Sequence, residues 1–156
     1  GSCDFLISYC DQKTLEQFDR SLFEFHKIVE MEILPVTALD HDGTAKYSLD
    51  QSFPLLSYSK QAYLRNCVDE AIENKFDYRT LYETDNAGDL KELVLQGLGV
   101  AWLPKLLVER EIQENKLKVL DGKQYYLFQD VYLVKREMSF SNRINYIWNI
   151  LIQKNK

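Results

Sequence analysis

The side chains that could carry chemistry in this chain are few, and their spacing argues against catalysis. Cys3, Cys10 and Cys67 form no CxxC pair and, being three, cannot all pair with one another, a usage expected of a reducing compartment. His26 and His41 stand apart with no HxxxH or HExxH spacing, so no metal site is expected. There is no GxSxG elbow, and carboxylates such as Asp69 with Glu70 or Glu109 with Glu111 read as solvated helix surface. Gly97 and Gly99 do not form a nucleotide fingerprint: that motif needs a strand before it and a helix after it, and here the order is reversed. No catalytic residue and no cofactor are therefore assigned.

Two clusters are more promising. Tyr58-Ser59 and Thr84-Asp85-Asn86 each place hydroxyl or amide groups where a helix is expected to begin, beside free N–H groups that attract anions and carboxylates. Ordinary capping explains either one alone, but two such starts on one sheet edge would face a common cleft suited to a small ligand. Cys10, just after the first expected strand, is a redox candidate, although Asp11 beside it raises its pKa rather than lowering it. Met31 and Met138 are oxidisable thioethers, a residue type that more often fills gaps in a core.

The elements that would position these groups follow from periodicity. Phe5 to Ser8 is a short apolar run read as a central strand that lacks an upstream partner. Leu22 to Leu34 has extended character, and Pro35 is expected to interrupt it, limiting the strand there to an edge, a crossover or a bend. Leu55, Leu56 and Tyr58 form a strand, Ser59 is placed to cap a helix, and Leu64, Val68, Ala71 and Ile72 share one face of that helix. Tyr78 to Thr84 reads as a strand. Asn86 caps the next helix, with Asp89 completing a box-like arrangement. DLKELVLQGLGVAWLP then encodes a helix, a left-handed stop at Gly97 and a buried strand from Val100 to Leu103. A helix through Leu107, Val108 and Ile112, a strand at Leu117 to Leu120, one long strand from Tyr125 to Val134 or two joined at Gln129-Asp130, and a closing helix through Ile144, Trp148 and Ile152 complete the chain. Strands alternating with helices imply an α/β fold with a largely parallel sheet, and ligands then sit at strand carboxyl ends: Ser8 to Cys10, Ser57 to Ser59, and Thr84 to Asn86.

Bulk properties bound the function. A chain of 156 residues supports a real core in one domain or two small lobes. With 24 acidic against 19 basic residues the net charge is -5, and the cations are scattered among acids, which argues against unaided duplex binding. No apolar run approaches the roughly 18 residues that span a bilayer, so no membrane partner is expected and the character is cytoplasmic.

The run DLKELVLQGLGVAWLPKLLVEREIQENKLKVL resembles the signature of the effector-binding domain of LysR-type transcriptional regulators, and GSCDFLISY and FPLLSYSKQAYLR resemble its first strand and a later strand with its helix start. FPLLSYSKQAY and GVAWLP are similar to the hypochlorite-responsive branch, although Leu64 and Asn86 stand where that branch would have methionine. The resemblance implies a periplasmic-binding-protein type 2-like α/β fold: two lobes joined by crossover strands around Ile33 to Thr37 and Val131 to Val134. Residues 1–35 and 132–156 would form an incomplete first lobe and 36–131 the second. It further implies an effector cleft at Ser8, Tyr9, Ser57, Tyr58, Ser59, Thr84, Asp85, Asn86, Ala101 and Trp102, sensing of a small molecule or oxidant, self-association, and DNA binding only through a helix-turn-helix that this stretch does not contain. The alternative is a solute-binding protein of the same fold. Neither is an enzyme.

Overall fold

The computed structural model describes residues 5–9, 23–120, 122–136 and 142–154. The chain forms two compact units, Gly1–Met31 with Phe128–Lys156, and Glu32–Leu127. In the first, strand β1 (Phe5–Tyr9) pairs antiparallel with β7 (Leu127–Arg136), and β7 lies beside β2 (Phe23–Ala38). Helix α4 (Asn142–Lys154) carries Trp148, whose indole N–H donates to Glu24 at 3.2 Å. The Lys135 ammonium lies 3.2 Å from the same carboxylate and 4.9 Å from the Trp148 ring centroid. An almost fully buried lysine thus meets its opposite charge and an aromatic face together, which offsets its desolvation. β1 is not the central strand expected: among the described residues it pairs with β7 alone, and Ile7 is 68% exposed.

The second unit holds the larger core. Residues of β2 from Ile33 onward pair antiparallel with β5 (Ala101–Pro104) and β6 (Leu117–Val119). β3 (Phe53–Tyr58) and β4 (Tyr78–Thr84) run parallel, and Leu55 forms a parallel bridge to Val100. The largely parallel sheet expected is therefore corrected: most described pairings are antiparallel, and the parallel ones are confined to β3 with β4 and Val100. Local periodicity reports that a segment is extended; it does not encode the direction of its partner. Helices α1 (Tyr63–Ile72), α2 (Ala87–Leu95) and α3 (Lys105–Gln113) bury Leu64, Val68 and Ile72, then Leu90 and Val94, then Val108. These pack with Phe53, Leu55, Leu56 and the fully buried run Val100 to Leu103.

Three local expectations meet different fates. Gly97 has φ +79, its N–H donates to Val94 O at 2.9 Å, and the Leu98 N–H donates to Leu93 O at 3.2 Å, which is the Schellman pattern that ends a helix. Pro35 does not interrupt β2. It has no N–H to contribute, but its carbonyl still accepts from Leu120 at 2.9 Å, and the strand continues to Ala38. Ser59 does not cap α1 either; it heads a turn in which Ala62 N–H donates to its carbonyl at 3.0 Å, and Ala62 is the N-cap, without a side-chain bond.

Between α2 and α3, Lys91 Nζ meets Glu111 Oε1 at 2.6 Å with both side chains mostly buried. The lysine hydrogen bond holds the Glu111 carboxyl below its ordinary pKa. A depressed folded-state value contributes stability that is full above the unfolded pKa and lost as pH falls through the folded one. Lys91→Met is therefore expected to flatten the fall in stability below about pH 4.5, read from urea melts at stepped pH.

Candidate functional site

The carboxyl ends of β3 and β4 lie side by side, joined where Ser59 N–H donates to Thr84 O at 2.9 Å. The chain turns there into α2. The Thr84 hydroxyl accepts from Asn86 N–H at 3.3 Å and donates to Asp89 Oδ2 at 3.2 Å, and Asn86 Oδ1 accepts from Gly88 N–H at 2.7 Å. Asn86 is the expected N-cap. The box-like closure by Asp89 does not form, because that carboxylate takes the Thr84 hydroxyl instead. The Asp89 N–H also donates internally, to Asn86 O at 3.2 Å, so the first turn of α2 is largely satisfied and carries its own anion. The attraction for anions expected at this helix start is correspondingly weakened. Asn86→Ala should lower stability by about 1 kcal/mol, measured by chemical denaturation, with no change in the melting cooperativity of a single compact unit.

Arg65 braces the same end. Its Nε lies 2.7 Å from Asp69, and its Nη1 reaches Tyr58 O at 2.8 Å and Glu83 at 3.0 Å. The hydrogen bond to Asp69 raises the pKa of a guanidinium that is already charged. Ser57 and Ser59 stand two residues apart in extended chain, and both hydroxyl oxygens are buried without a hydrogen-bond partner. This pair is a feature that their identity alone did not signal; the alternation Ser-x-Ser at the end of a strand is the trace it leaves in the sequence.

Ser57, Tyr58, Ser59, Thr84, Asp85 and Asn86 are thus brought together. Tyr58 and Trp102 belong to the frame. Tyr58 is 2% exposed and its hydroxyl donates to Trp102 O at 2.9 Å, while the Trp102 indole N–H donates to Tyr125 O at 2.9 Å. Ala101 is fully buried beside it. Ser8 and Tyr9 lie on β1 in the other unit, and their side chains fall outside the described residues, as do Cys10 and Met138. Met31 is half-buried on β2. Among the described residues no group of three His, Cys, Asp or Glu side chains is placed to hold a metal, and no helix is long and apolar enough to cross a membrane. Two cavities of the second unit, about 460 and about 550 Å³, include none of these site residues.

Strands ending at polar side chains, βα units and strands that run on between two units define a binding domain. The LysR substrate binding domain model matches residues 1–154, and the chain belongs to that family, with its type 2 periplasmic-binding-protein-like fold. It is 32% identical over 124 residues to the HTH-type transcriptional regulator YjiE of Escherichia coli K12, covering 78% of this chain and 40% of that protein. The full-length HypT of Salmonella typhimurium, described as a hypochlorite-specific LysR-type transcriptional regulator, superposes with a TM-score of 0.89 at 27% identity, covering 99% of this chain and 52% of that one. The bromide-bound HypT regulatory domain gives 0.85 at 27% identity over 97% and 72%. The chain therefore spans about half or less of the full-length regulators it matches.

Proposed function

We propose that this chain is the effector-sensing part of a LysR-type transcription regulator, in which occupancy or oxidation changes the DNA binding of the whole protein. The observation that carries this reading is the convergence of Ser57, Ser59, Thr84 and Asn86 at the carboxyl ends of β3 and β4, with two buried hydroxyls still unpaired. These groups would bind the polar atoms of a small effector. Asp85 adjoins Thr84 in sequence and Asp89 accepts from its hydroxyl, which favours an effector presenting N–H or O–H donors over a carboxylate. Tyr58, Ala101 and Trp102 hold the frame. Residues 1–35 with 132–156 and 36–131 act as the two lobes, the protein self-associates through this domain, and it works in the cytoplasm.

Likeness to HypT supports an oxidant as the effector class, with Cys10, Met31 and Met138 as the groups to follow. To act as a switch, a ligand or modification must favour one conformation, since equal affinity for two shifts neither. Graded hypochlorite followed by peptide mass spectrometry, on the native chain and on Cys10→Ser and Met138→Leu variants, tests this. One thiol or thioether should oxidise while the protein remains folded. Oxidation of all of them together, and only on unfolding, would remove the oxidant reading and leave small-molecule sensing.

A further inference from the structure

We draw no further inference here: the strongest candidate, the outer edge of β4, which pairs with β3 alone among the described residues and leaves Leu81 and Tyr82 each 48% exposed, carries nothing because nothing in the structure shows what covers it.

Discussion

Gly99→Ala is expected to destabilise the second unit by about 3 kcal/mol or more, because a β carbon there would stand 2.5 Å from Pro54 O and 3.2 Å from Leu56 Cγ. The nearest obstacle is a backbone carbonyl that cannot swing aside. That carbonyl accepts the Val100 N–H at 2.9 Å, and Leu56 N–H donates to Val100 O at 2.8 Å, so the added methyl would prise apart the two bonds that join β3 to the start of β5. The wedge falls where Val100, Ala101 and Trp102 are packed with almost no exposure. Guanidinium melts monitored by circular dichroism provide the measurement. Gly43→Ala is the control: Gly43 has φ +83 but nothing within 4 Å of the added carbon, so it should cost only about 1–2 kcal/mol, the price of a left-handed alanine. Equal losses in the two variants would mean that the contact with Pro54 is relieved by backbone movement.

The second large effect is at Trp102, where alanine should cost about 3–5 kcal/mol. The indole is 1% exposed, its ring centroid lies 6.2 Å from that of Phe76, and Phe76 in turn meets Tyr125 edge-on at 4.8 Å. Removing it opens a cavity among aromatic rings that cannot collapse without moving β5. Trp102→Phe separates the contributions: most of the packing stays, while Tyr125 O loses its donor, and the loss should fall to about 1–3 kcal/mol. A phenylalanine variant as unstable as the alanine variant would show that the hydrogen bond, and not the ring volume, holds this corner. Either result bears on the candidate site, because Tyr58 at the end of β3 is tethered to the same residue's carbonyl.

Local chemistry was legible wherever neighbours in sequence are also neighbours in space. The glycine stop after α2, the Asn86 cap, the apolar stripe of α1 and the strand positions of Tyr78 to Thr84 all follow from spacings of a few residues. The polar groups at the ends of β3 and β4 were legible for the same reason. What spacing does not carry is long-range partnership. A tyrosine hydroxyl or an indole N–H suits a ligand as well as a backbone carbonyl, and for Tyr58 and Trp102 the choice is made by partners 44 and 23 residues away. Strand direction belongs to the same class, since β2 acquires antiparallel neighbours from segments that follow it much later. Ser59 has the residue type of a cap, but a three-residue turn, invisible to propensity, separates it from α1.

The pairing of Phe5 with Lys135 and of Tyr9 with Val131 has a consequence for the order of assembly. On the ribosome, Phe5 to Tyr9 emerges more than a hundred residues before the strand it will join, and the whole of residues 32–127 can collapse in the interval. Until β7 is made, β1 lacks the strand that it pairs with among the described residues, so the antiparallel ladder from Phe5 to Tyr9 is a late, long-range contact.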